Sequence, residues 1–186
     1  MAEGALRVAV LGAESTGKTT LAAALAARLA HDTGLRVTWV PELLREWCDR
    51  AGRTPQAKEQ SAILLGQHER IEAAAAAHDV VVCDTTGLMT AVYSRIVFGD
   101  RTLDATAVAL HRRMNLTLLT AIDLPWVPDG QQRDGPQVRG PVHSALLDLL
   151  NGHGLPWRGV AGSGVARLAS AVDAVAPLLR PAANAG

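Results

Sequence analysis

Gly12-Ala13-Glu14-Ser15-Thr16-Gly17-Lys18-Thr19 sets a glycine, four variable positions, Gly-Lys and a hydroxyl residue in that order. The apolar run at residues 6–11 before it reads as a strand, and the Ala- and Leu-rich run from Thr20 reads as a helix. Strand, glycine-bearing turn and helix in this order make a phosphate-binding loop, or P-loop. Glycines let the backbone curl without a Cβ clash, so successive N–H groups and the helix N-terminus converge on phosphate oxygens. The expected cradle for ATP comprises Gly12, Glu14, Ser15, Thr16, Gly17, Lys18, Thr19 and Thr20. Lys18 is expected to reach the β- and γ-phosphates, and the Thr19 hydroxyl to ligate Mg²⁺. A chance match in an Ala/Gly-rich chain is the alternative, and the flanking strand and helix argue against it.

Outward from this loop, residues 18–30 carry Leu21, Leu25 and Leu29 at four-residue spacing, the buried stripe of a first helix. Residues 35–40 read as a second strand ending at Pro41, and residues 42–50 as a helix stopped by Gly52. Thr54-Pro55 suits a helix start, and that helix is expected to reach His78 with Ile63, Leu64, Gln67 and Ile71 on one face and a kink near Gly66. Val80-Val81-Val82-Cys83-Asp84 is a continuous apolar run closed by an acid, the pattern of a strand buried on both faces whose C-terminal end opens on a site. Helices are expected at 86–98 and 103–114, a fourth strand at 116–122, a helix at 142–150, a short strand at 157–160 and a closing helix at 165–179.

Strands alternating with helices predict an α/β fold of the P-loop NTPase type: a doubly wound parallel sheet of about five strands with helices on both faces. One domain over residues 1–180 is expected, with a small lid near 126–140, where turn formers and charges concentrate, and a loose tail at 181–186. Eighteen basic residues balance eighteen acidic ones, and no basic block is interleaved with aromatics, which argues against nucleic acid as a partner. Cys48 and Cys83 imply no disulfide framework. No apolar run approaches the roughly 18 residues of a membrane span, and no leader pattern opens the chain, so a cytoplasmic protein is expected.

Phosphoryl transfer needs a cradle, a metal, a group to orient the acceptor hydroxyl and cations over the moving phosphoryl group. Asp84 is placed to hold Mg²⁺ with Thr19; its other reading is a cap for the helix that follows. Glu42, after the second strand, is placed to take the acceptor proton or is an ordinary first-turn glutamate. Arg45 shares its helix face and serves either a surface pair or the substrate. Arg133 and Arg139 lie in or beside the lid, where arginines stabilise charge on the transferring group or are simply solvated. Trp126, between two prolines, either packs under the loop or stacks on a flat ligand, with Asp123 and Asp129 beside it to bind sugar hydroxyls or a cationic ring. The six histidines are scattered, have no zinc spacing and are expected at the surface.

Taken together, the P-loop segment through Thr20, Pro41-Glu42 with Arg45-Glu46, Asp84-Thr85, Tyr93-Ser94 with Phe98-Gly99, and Asp123-Leu124-Pro125-Trp126 with Asp129-Gly130 and Arg133 resemble the NadR-type ribosylnicotinamide kinases, in order over about residues 6–168. The resemblance implies ATP-dependent phosphorylation of the 5′-hydroxyl of nicotinamide riboside, with Trp126 stacking on the pyridinium ring and Tyr93 in the substrate site. Such proteins often also carry an adenylyltransferase and a DNA-binding domain, and neither activity is expected of these 186 residues. Another nucleoside is the alternative acceptor. A regulatory P-loop ATPase acting through a partner is the alternative of a different class, whereas a GTPase is disfavoured because no N-K-x-D motif follows the fourth strand.

Overall fold

The computed structural model describes residues 4–128 and 135–179. The chain runs β1 (Leu6–Leu11), α1 (Lys18–Thr33), β2 (Val37–Val40), α2 (Leu43–Ala51), α3 (Ala57–Ala77), β3 (Val80–Asp84), α4 (Gly87–Phe98) and α5 (Asp104–His111). It continues with β4 (Leu116–Thr120), a 3₁₀ turn (Pro136–Val138), α6 (Arg139–Gly152), β5 (Trp157–Val160) and α7 (Gly164–Leu179). The five strands form one sheet in the order β2-β3-β1-β4-β5 with every neighbouring pair parallel, as the alternation of apolar runs and helical stripes predicts.

The side-chain period of two splits β1 between two cores. Val8 and Val10 face a cluster built from Leu21, Leu25 and Leu29 of α1 and Ala171 and Val175 of α7. Ala9 and Leu11 face the opposite cluster, where Leu64 of α3, Leu88 of α4 and Leu146 of α6 meet. Coverage on both faces explains why β3 reads as a continuous apolar run up to Asp84. Leu25 and Leu29 are almost wholly buried, and removing either side chain to Ala is worth roughly 2–5 kcal/mol.

From β1 the chain moves to one side for β2 and β3 and to the other for β4 and β5, so the C-terminal end of β1 sits at the switch point where ligands bind in this architecture. The P-loop leaves β1 at that end, and Asp84 and Thr120 close the strands on either side of it.

Several expectations change. α3 starts at Ala57, not at Thr54-Pro55: the Glu59 carboxylate accepts from the Gln56 N–H at 2.8 Å while the Glu59 N–H donates to the Gln56 carbonyl at 2.9 Å, which fixes the first turn. The helix runs through Gly66 without interruption, and the glycine serves packing, because a Cβ there would stand 2.7 Å from Leu43 Cδ2. α6 begins at Arg139, three residues earlier than the apolar pattern suggests. His111 is buried rather than at the surface, lying between the Thr86 hydroxyl at 2.9 Å and the Thr117 hydroxyl at 2.7 Å. Asp129 and Arg133, the middle of the expected lid, lie outside the described residues, as does the expected tail.

Candidate active site

The P-loop is held by its own hydroxyls and by β4. Thr16 is fully buried and donates to the Ala13 carbonyl at 2.8 Å, and the Thr120 hydroxyl donates to Thr16 Oγ1 at 2.7 Å. Gly12 is required by this approach: a Cβ there would stand 1.9 Å from Thr120 Oγ1. Ser15 adopts φ 53°, uncommon for a residue with a side chain, and donates to the Val127 carbonyl at 2.8 Å, with the Val127 N–H donating back at 3.2 Å. This pair ties the segment after β4 onto the loop. Lys18 Nζ donates to the Ala13 carbonyl at 2.9 Å, which places the ammonium at the mouth of the loop.

At the end of β3, Asp84 is 1% exposed and accepts from the Thr19 hydroxyl at 2.5 Å through Oδ2. Its Oδ1 is buried and has no hydrogen-bond partner among the described residues. Burial raises the Asp84 carboxyl above its ordinary range, while Thr19, Lys18 and Arg45 oppose that shift. The helix-cap reading of Asp84 fails, because Thr86 caps α4 by accepting from the Leu88 N–H at 3.2 Å. Between them Thr85 is buried at φ 69°, an outlier for a β-branched residue and a place where the fold holds local strain beside its site.

Glu42 ends the segment after β2 and sits at the N-terminus of α2, where its side chain makes no capping bond. It is only 8% exposed. Burial lifts its pKa to about 7; Lys18 opposes the rise, Asp84 adds to it, Arg45 opposes it and Glu14 adds to it. A carboxylate poised near neutrality is suited to take a proton.

Ser15, Lys18 and Glu42 share one cleft. Glu14, Ser15, Lys18, Glu42, Arg45, Tyr93, Trp126 and Val127 line it. Four elements far apart in sequence therefore converge there: the P-loop, the start of α2, the middle of α4 and the segment after β4. Two other expectations do not converge. Asp123, expected beside the substrate, spends both oxygens on structure, accepting from the Gly162 N–H at 2.6 Å and from Arg167. Arg139, expected on the lid, is buried at the start of α6 with Nη2 donating to the Leu124 carbonyl at 2.9 Å.

The sequence from residue 7 to residue 167 matches a family model described as an AAA domain. The chain belongs to this AAA-domain family. Among solved structures, its fold is similar to NadR in complex with NR (TM-score 0.73, 23% identity, 93% of this chain and 50% of that one). It is likewise similar to NadR in complex with NAD and AMP-PNP (TM-score 0.71, 24% identity, 93% and 49%). The chain thus spans about half the length of the NadR chains it matches. A thymidylate kinase from Ehrlichia chaffeensis matches over 94% of this chain and 99% of its own, at TM-score 0.68 and 16% identity. No curated protein matches the sequence.

Two residues of this AAA-domain chain organise the cleft without a signal that spacing could reveal. Gln67 interrupts the apolar face of α3, is 3% exposed and accepts from the Leu43 N–H at 2.7 Å, while its amide nitrogen lies 3.4 Å from the Pro41 carbonyl and 3.5 Å from that of Thr85. It stands between the segments that carry Glu42 and Asp84. Arg167 of α7 is 4% exposed and reaches the P-loop itself through the Thr16 carbonyl. A polar residue on an otherwise apolar helical stripe was the one available hint for Gln67; the partners of Arg167 are largely backbone carbonyls, which no side-chain pattern discloses.

Proposed function

We propose that the chain is an ATP-dependent kinase for a nucleoside and that its acceptor is the 5′-hydroxyl of nicotinamide riboside, giving nicotinamide mononucleotide. The observation that carries this reading is Glu42: a buried carboxylate with a pKa of about 7, in one cleft with Lys18 of the P-loop and with Trp126 and Tyr93. A P-loop that only hydrolysed ATP to signal would have no use for a buried carboxylate beside two aromatic rings. The fold likeness to NadR in complex with NR, and the order of the motifs from the P-loop to Trp126, support the choice of acceptor.

In this reading Glu42 accepts the proton of the acceptor hydroxyl as its oxygen bonds to the γ-phosphorus, and the bond from that phosphorus to the bridging oxygen breaks to release ADP. Lys18 leaves the Ala13 carbonyl to meet the β- and γ-phosphates, and the N–H groups of the loop from Gly12 to Thr20 hold the remaining oxygens. Thr19 and Asp84 are the residues that would hold Mg²⁺: both offer oxygen, and the buried Asp84 Oδ1 is left without a partner among the described residues. Bound there, the ion would neutralise charge on the phosphates. Trp126 and Tyr93 offer the base its aromatic walls, and Arg45 stands on the exposed side of the cleft. Arg139 braces the segment that carries Trp126 through the Leu124 carbonyl.

Glu42→Gln tests the base. It removes a proton acceptor at nearly constant volume, so kcat should fall by about 10²–10⁴-fold while ATP affinity stays within a factor of about two. Unchanged turnover would remove Glu42 from this role.

A further inference from the structure

Glu14 is the third residue of the P-loop, and its sign is wrong for a triphosphate cradle. Backbone N–H groups and Lys18 serve the phosphates in such a loop, so the Glu14 carboxylate is not needed to hold them. Glu14 lines the cleft together with Glu42, Arg45, Tyr93 and Trp126. Glu14 Oε2 is buried there and has no hydrogen-bond partner among the described residues. Its charge reaches Glu42, whose pKa it helps to raise. Of the cations lining the same cleft, Lys18 Nζ donates to the Ala13 carbonyl at 2.9 Å and the Arg45 residue is exposed.

We propose that Glu14 is a specificity-determining residue for the acceptor, placing negative charge where the acceptor carries a positively charged ring. The inference rests on the kinase reading above and moves Glu14 from the ATP side of the site, where its place in the motif puts it, to the acceptor side. An uncharged acceptor leaves a buried carboxylate oxygen desolvated and unpaired, which is costly. A cationic aromatic acceptor compensates that charge and offers its face to Trp126, so that ion pairing and the cation–π attraction act together. Uncharged nucleosides of similar size bring no positive charge to Glu14.

The test compares nicotinamide riboside with its 1,4-dihydro form, which has nearly the same shape and no charge on the ring. kcat/KM is measured for both with the unmutated chain and with Glu14→Gln, and KM for ATP is followed alongside. The unmutated chain should prefer the charged riboside by about tenfold or more, and Glu14→Gln should reduce that preference by about five- to tenfold with KM for ATP held within about twofold. Equal use of the two ribosides by the unmutated chain overturns the proposal without any variant. An unaltered preference in Glu14→Gln, or a loss that falls on KM for ATP, overturns it as well and leaves the kinase standing. Turnover of other nucleosides with neither riboside overturns the acceptor assignment itself, and the inference with it.

Discussion

Arg167 Nη1 donates to the Thr16 carbonyl at 2.5 Å across 151 residues of sequence, so the closing helix holds the phosphate-binding loop by its backbone. The same guanidinium donates from Nε to the Gly162 carbonyl at 2.7 Å and from Nη2 to Asp123, which joins the loop after β1 to the segments after β4 and β5. Only a planar fork can serve three such partners at once. Arg167→Lys keeps the charge and loses the geometry. It should raise KM for ATP by about tenfold and lower stability by about 1–3 kcal/mol, read by denaturant unfolding, because buried carbonyls lose their donors. A variant with wild-type KM for ATP would show that the clamp does not shape the loop.

Gln67 does for the acid pair what Arg167 does for the P-loop. Replacing it with Leu keeps the volume and strands the Leu43 N–H, which now donates to Gln67 Oε1 at 2.7 Å. The expected destabilisation is about 1–3 kcal/mol, and kcat should fall by about tenfold because Glu42 is the residue immediately before that N–H. Gln67→Glu keeps the acceptor and should recover part of the stability but little of the rate, since it adds a further negative charge near Glu42. Kinetics and unfolding on the same two variants separate these effects.

Two buried groups give the protein opposing pH dependences. Glu42 titrates at about 7 in the folded chain against an ordinary 4.5, so the folded state binds more protons than the unfolded one between those values and stability falls as pH rises through them. His111, buried with a pKa lowered to about 4 from 6.5, acts the other way: the unfolded chain takes up the proton first, so stability falls as pH drops from 6.5 towards 4. Each contributes on the order of 3 kcal/mol. The two slopes offset one another between about pH 4.5 and 6.5. Glu42→Gln should therefore gain stability at pH 8 and lose it steeply on acidification, whereas His111→Asn should become more stable as pH falls from 7 to 5. Urea titrations at four pH values read both slopes, and parallel profiles for the two variants would contradict the assignment.

The proposed role of Glu42 carries an acid limb for the proposed transfer. With Glu42 required as the carboxylate, kcat/KM should rise with pH and level off near 7, the range to which burial lifts its pKa. A limb that levels off near pH 4.5, where an exposed glutamate titrates, would mean that another group governs it.

The parts of the fold that sequence disclosed are those written in side-chain periodicity. β3, and β1 beyond Arg7, stand out because sheet burial on both faces makes them apolar runs, and α1 because Leu21, Leu25 and Leu29 form one stripe. The P-loop and Asp84 follow from their places at the ends of those runs. Glu42 has two readings in sequence, since an exposed first-turn glutamate and a buried one look alike until tertiary packing covers one of them. Asp123 looked like a substrate residue because the Arg167 that neutralises it lies 44 positions away. His111 looked like a surface residue because its partners, Thr86 and Thr117, belong to other elements. Long-range polar pairing, rather than local propensity, marks what single-sequence reasoning does not reach.

The most direct test of the central claim is a coupled ADP-release assay with ATP and Mg²⁺, run on nicotinamide riboside, the common ribonucleosides and deoxyribonucleosides, and a control without acceptor. Turnover with nicotinamide riboside is expected at a kcat/KM at least about a hundredfold above that for any other nucleoside, with little ADP release without acceptor. ADP release at the same rate whether or not an acceptor is present would contradict it, and would make the cleft around Glu42 the site of an ATPase rather than a kinase.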